Sequence, residues 1–149
     1  MDDYFLYFDS AHAIGVHDWI IEHSGGRPGN NDLGLLDSPL EHIQNDLYYP
    51  DMEHKLSHLV YSINKNHAFT DGNKRSSIAL GAYFLEINGY EYCIQDFVQR
   101  MENIAVWIAD NLIDKDLTHR IVTSIIYDDD YSEPLKLELA QAVSQEGEK

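Results

Sequence analysis

The chain has 149 residues, enough for one domain with its own core and short of a clear second one. Hydrophobic residues make up 44%, an ordinary globular share, while 26 Asp and Glu against 10 Lys and Arg leave a net charge of −16. That balance argues against non-specific binding to nucleic acid or an anionic membrane, both of which reward positive charge. No apolar run approaches the ~20 residues that span a bilayer, and the acidic opening MDDYFLYFDS is too short in its apolar run for a signal peptide. A soluble, cytoplasmic protein is expected. Cys93 is the single cysteine, so no intrachain disulfide forms, and an inert, buried thiol is the expectation.

The pattern predicts an all-α chain. Tyr4 to Phe8 is the one stretch with strand-like alternation. Asp9 or Ser10 caps a first helix through about Ser24, and Gly25-Gly26 stops it. GGRPGNND is a loop by composition; it lacks the GK[ST] of a phosphate loop, and Arg27 reads there as an exposed arginine. Leu33, Leu36, Leu40 and Ile43 form a helical face in the window Leu33 to Leu47. Two readings of Pro39 stay open: a first-turn proline capped by Ser38 with Glu41 completing a capping box, or a bend in a helix that starts near Asp32.

Tyr48-Tyr49-Pro50 breaks the pattern, and Asp51 caps a third helix with Leu56, Leu59, Val60 and Ile63 on one face. The loop HAFTDG follows. The fourth helix runs from about Asn73 to Ile87, ended by Asn88-Gly89. Phe97, Met101, Ile104, Ile108 and Leu112 mark a fifth, and Asp116 is expected to cap a sixth with Ile121 and Ile125 inward. Asp128-Asp129-Asp130 is a loop. Pro134 opens a seventh helix carrying Leu135, Leu139 and Val143, and the tail SQEGEK frays. The reading is a single domain over 1–149, with a core of about 9–127 and a C-terminal helix and acidic tail in 128–149. That helix either packs on the core or occupies a cleft.

The most informative segment is His67 to Arg75, HAFTDGNKR. It puts an imidazole, a carboxylate, a glycine, an amide and two cations at a helix start, where free N–H groups and the macrodipole favour an anion such as phosphate. A neutral His67 can take a proton from an attacking hydroxyl, worth ~10²–10⁴ in rate when well placed. Asp71 reads as the helix N-cap, as a hard oxygen ligand for Mg²⁺, or as both. Gly72 lets the backbone approach an anion, and Asn73 fixes the loop by side-chain hydrogen bonds. Lys74 and Arg75 oppose the dipole, a local conflict that an anion would offset; Arg75 suits a bidentate phosphate contact and Lys74 a point-charge contact. His54 and His58 have metal-binding spacing, but Lys55 stands where a zinc-protease motif needs Glu, so no metal site is expected there.

HAFTDGNKR resembles the Fic/Doc signature HxFx(D/E)GNxxR, and more closely the death-on-curing (Doc) form HPFxDGNKR. GGRPGNNDLGLLDSPL resembles the Doc-type segment GGxxGxRDxGLLESAL, and FLEINGY is also typical; the likeness covers about Gly25 to Tyr90. It implies a Fic-type helical bundle with a short flap near the active-site cleft. His67 would be the general base on a protein hydroxyl, Asp71 the Mg²⁺ ligand, and Gly72, Asn73, Lys74 and Arg75 the cradle for ATP. Fic enzymes proper usually read GNGR with a second Arg three residues on; here Lys74 and Ile78 hold those places, as in Doc. That implies a reversed nucleotide and transfer of the γ-phosphate to a threonine, in the family on elongation factor Tu. Adenylylation is the Fic alternative, and a silent binding module that keeps the fold is a third reading.

The sequence also departs from the pattern. Ala68 replaces the common Pro, and Asn30-Asn31 stands where relatives carry an Arg before Asp. The inhibitory motif (S/T)xxxE(G/N) is matched by Glu146-Gly147 but has Ala142 at its first position. A separate antitoxin that inserts a helix beside the motif is therefore the expected partner.

Overall fold

The computed structural model describes residues 4–144, and within them the chain forms seven α-helices. These are α1 (Ser10–Ser24), α2 (Gly34–His42), α3 (Met52–Asn66), α4 (Asn73–Ile87), α5 (Ile94–Ala109), α6 (Lys115–Tyr127) and α7 (Glu133–Ser144), with a 3-10 turn at Glu91–Cys93. The expected all-α class holds, and among the described residues no helix is long and apolar enough to cross a membrane.

α3 is the axis. It packs against α2, α4, α5 and α6, and Leu56, Leu59, Val60 and Ile63 are each fully buried. Its polar side is covered too, and backbone carbonyls and neighbouring side chains satisfy most of it, as buried polar groups require. Ser57 donates to the Glu53 carbonyl, and Asn64 donates to the Val60 carbonyl and to the Ser77 hydroxyl on α4. Lys55, with no exposed surface, reaches out of the core to the Ile43 carbonyl at 2.6 Å and Asp46 at 2.7 Å. Its ammonium also lies 4.9 Å from the centre of the Phe5 ring, so it ties the N-terminal segment to the turn after α2.

The caps at Asp9 and Asp51 are as expected, each accepting from the backbone N–H three residues on. The sixth helix corrects the reading: Asp114 is its cap, accepting from Leu117 N, and Asp116 lies inside the first turn. Asp114 has the extended backbone that a cap needs, while Asp116 favours the helix dipole from within. α2 begins just after Asp32, whose carboxylate accepts from Gly34 N. Pro39 and Ser38 both lie inside α2, so the Ser38 capping box does not form. α2 also ends at His42, short of the window to Leu47.

α5 starts at Ile94, before Phe97, and closes in a Schellman turn: Asn111 is left-handed, and Leu112 N donates back to the Trp107 carbonyl. Tyr4 to Phe8 is not a strand. Its backbone at Leu6 is instead bracketed by the Asn88 side chain, which accepts from Leu6 N and donates to Leu6 O. α7 packs on α6 through Leu135 and Leu139, with an Arg120–Glu138 ion pair across the contact, so the core-packing reading holds for this helix. Glu146, Gly147 and the tail from Gln145 on lie outside the described residues.

Candidate functional site

α3 does not stop in an ordinary loop residue. Its C-cap is His67, in the left-handed region at φ 51°, ψ 56°. Gly or Asn usually takes that position, and a bulkier residue there is strained and points to function. The turn exposes the imidazole, and among the described residues its ring makes no hydrogen bond. The chain then dives into the core at Ala68 and Phe69, 2% and 0% exposed. Asn73 holds this dive at both ends, accepting from Phe69 N and donating to Phe69 O. Gly72, left-handed at φ 78°, turns the backbone into α4.

The segment 25–33 lies over this turn as a flap. Asn30 and Phe69 form an antiparallel bridge, with Asn31 N donating to the Ala68 carbonyl and Thr70 N to the Gly29 carbonyl. The Asn31 side chain donates to the His67 and Phe69 carbonyls, so the residue standing where relatives carry an Arg clamps the loop. At the other end of the flap, Arg75 Nη1 donates to the Ser24 hydroxyl and the Gly25 carbonyl. Gly26 favours glycine: its backbone is at φ 121°, and a Cβ would lie 2.9 Å from both Arg75 Nη2 and Asp71 Oδ2, so those side chains would have to shift. Arg27 contributes its backbone N–H, which donates to Asp71 Oδ2 at 3.0 Å.

All six residues singled out in the sequence line one cleft of about 700 Å³: His67, Asp71, Gly72, Asn73, Lys74 and Arg75. Its opposite wall is one face of α5, with Glu102, Ala105, Val106 and Ala109, and the C-cap Asp110. Asp71 does not cap α4, since the cap residue is Gly72 and no side chain serves it. The Asp71 carboxylate instead accepts from Arg27 N and Gly72 N, and these bonds lower its pKa from the ordinary value. It is thus held ionised and oriented, with lone pairs left over, and it fits a hard divalent cation. Among the described residues no three His, Cys, Asp or Glu groups converge on a common metal position, so the remaining ligands would come from phosphate oxygens and water. Lys74 pairs with Glu102 at 3.0 Å.

Three contributors were missed in the sequence. Asn31 stood out only as a departure from the pattern, with no role assigned to it, and Glu102 carried no local signal. His17, fully buried in α1, sits behind the loop with its Nε2 2.6 Å from the Asp71 carbonyl oxygen. The His54/His58 pair is split between helices: His58 meets His42 of α2, and the His54 ring packs on His119 of α6.

The model of the Fic/DOC family matches residues 7–85, a span that holds α1 to α3, most of α4, the flap and the whole His67–Arg75 segment. The chain is also 35% identical to Toxin Doc of Mycolicibacterium smegmatis (strain ATCC 700084 / mc(2)155) over 96 residues, 62% of this chain and 74% of that protein. With a helical frame, a flap bridged to the motif loop, and a match over half of its length, this chain belongs to the Fic/DOC family.

Proposed function

We propose that this chain is a Doc-type toxin of a toxin–antitoxin pair and transfers the γ-phosphate of ATP to a protein hydroxyl. By resemblance the acceptor is a threonine of elongation factor Tu, and the consequence is a block of translation. The observation that carries the reading is what stands on either side of Arg75 in the first turns of α4. Lys74 supplies a cation where adenylylating relatives have glycine, and Ile78, 8% exposed, is built into the core where they have a second arginine. One arginine and one lysine at a helix start suit a single terminal phosphoryl group held by the motif.

In this reading the exposed His67 ring takes the proton from the target hydroxyl as its oxygen bonds to the γ-phosphorus and ADP leaves. Gly72 admits the phosphates close to the backbone, and the first turn of α4 offers N–H groups without intrahelical acceptors. Arg75 and Lys74 hold the transferred group. Asp71 would hold Mg²⁺, which when bound neutralises phosphate charge. α7 packs on α6 and contributes nothing to the cleft walls, which supports restraint by a separate antitoxin that inserts a helix beside the motif.

The test is label transfer from ATP to purified elongation factor Tu, run with γ- and α-labelled nucleotide and with His67→Ala. Transfer of the γ label alone, lost in the variant, is the expected result. Transfer of the α label would replace this reading with adenylylation. No transfer to this or any lysate protein, with no nucleotide-dependent shift in Tm, would leave a binding module.

A further inference from the structure

The motif loop is gripped from outside the motif by one imidazole. His17 lies in α1, 54 residues before Asp71, and has no exposed surface. Its Nε2 sits 2.6 Å from the Asp71 carbonyl oxygen. A carbonyl only accepts, so Nε2 carries a proton and donates to it. That Nδ1 is buried without a hydrogen bond, and the Asp18 carboxylate stands 3.7 Å from it. The face of the ring is engaged as well: it stacks on Phe69 with centroids 3.9 Å apart and planes within 4° of parallel. A Cβ on Gly72 would come within 3.5 Å of the same Nε2. His17 therefore backs Phe69, Asp71 and Gly72 together.

An imidazole in this position is costly. Nδ1 is buried without a hydrogen bond, where an aromatic hydrocarbon ring would stack on Phe69 equally well. What only histidine adds is the short donor to the backbone of Asp71, the residue whose carboxylate faces the cleft. A local choice that works against burial and supports the site marks a functional constraint.

We infer that His17 is a positioning residue. Its Nε2–H fixes the Asp71 carbonyl and its face fixes Phe69, so the Asp71 carboxylate and the Gly72 turn meet the cleft in one register. It acts through Asp71 and touches neither nucleotide nor target. The inference rests on the proposed role of Asp71, and it extends the site to a helix more than forty residues upstream of the motif.

The experiment uses the full chain with three replacements. His17→Phe keeps the stack and loses the donor; His17→Gln restores a donor of similar reach; His17→Asn offers one too short to reach. Two quantities are read: the Mg²⁺ dependence of phosphoryl transfer, and amide hydrogen exchange at Gly72 and Asn73. His17→Phe is expected to raise the Mg²⁺ concentration for half-maximal transfer and to lower kcat by about tenfold or more, with KM for the target protein unchanged and exchange at Gly72 faster. His17→Gln should recover most of both. If His17→Phe does not fold, His17→Asn against His17→Gln makes the same comparison. Wild-type Mg²⁺ dependence and exchange in the Phe or Asn variant would overturn the inference and leave a ring that fills space. If the wild-type chain transfers nothing, the proposed function fails, and the exchange comparison alone still decides the positioning role.

Discussion

Lys74 meets Glu102 across the mouth of the cleft, Nζ to Oε2 at 3.0 Å, while its neighbour Arg75 is drawn the other way, to the Ser24 hydroxyl and the Gly25 carbonyl. Two adjacent cations thus stand against opposite walls. A phosphate entering between them must displace a carboxylate on one side. Both members of the Lys74–Glu102 pair are well exposed, at 40% and 59% of the side chain, so the pair adds well under ~1 kcal/mol to stability. Glu102→Gln should leave Tm unchanged and tighten ATP binding by about two- to fivefold, an advantage that shrinks at high salt. Titration calorimetry at low and high salt checks this; unchanged or weaker binding would mean that Glu102 does not compete for Lys74.

Gly26 ties the flap to the site, because a side chain there would collide with Asp71 and Arg75 and the backbone is left-handed. Gly26→Ala should cost about 1–2 kcal/mol of local strain. That strain should appear as faster hydrogen exchange at Asn31 and Thr70 and a loss of transfer activity of about tenfold or more, with much of the global stability kept. An Ala variant with wild-type exchange at both amides would show that the flap absorbs the change.

Lys55 is a stability prediction remote from the chemistry. Lys55→Met keeps the volume and apolar stem but removes the donor to the Ile43 carbonyl and Asp46. Asp46 is 71% exposed, so it rehydrates, whereas the buried carbonyl contact is lost. The expected destabilisation is about 2 kcal/mol by urea unfolding. A variant as stable as wild type would show that the cation adds nothing beyond its packing.

Acid sensitivity is expected at the α2–α3–α6 junction. Burial, then the charges of Lys115 and His42, push the His58 imidazole down to about 4 from its ordinary value of 6.5. His119 moves in the same direction through burial and the neighbouring His54. Between these pH values the unfolded chain binds protons that the folded chain refuses, so stability falls as pH drops from about 6.5 towards 4. For His58 the loss amounts to ~3 kcal/mol at most. Urea midpoints across this range should decline, and His58→Gln should flatten part of the slope; an identical slope would place the sensitivity elsewhere.

Much of this was legible in the sequence because it is local. The apolar face of α3, the caps at Asp9 and Asp51, and the Asn88-Gly89 stop each follow from residues within a few positions of one another. So does the gathering of His67, Asp71, Lys74 and Arg75, since one turn and one helix start carry all four. The error at Asp116 arose because two aspartates flank Lys115, and only the backbone angles select Asp114 as the cap. Tyr4 to Phe8 alternates like a strand, but it pairs with no strand: its partner at Leu6 is the side chain of Asn88, the C-cap of α4. His17 and Glu102 stayed hidden for another reason: each acts on the motif from a different helix, and nothing near them in sequence marks the contact.

The seam between flap and motif loop is made chiefly of main-chain atoms: the amides of Asn31 and Thr70 and the carbonyls of Gly29 and Ala68. Side chains reinforce it at a few points only: Asn31 on the loop carbonyls, Asp71 on Arg27 N and Arg75 on the Gly25 carbonyl. Flap side chains that make none of these contacts can therefore change without opening the seam.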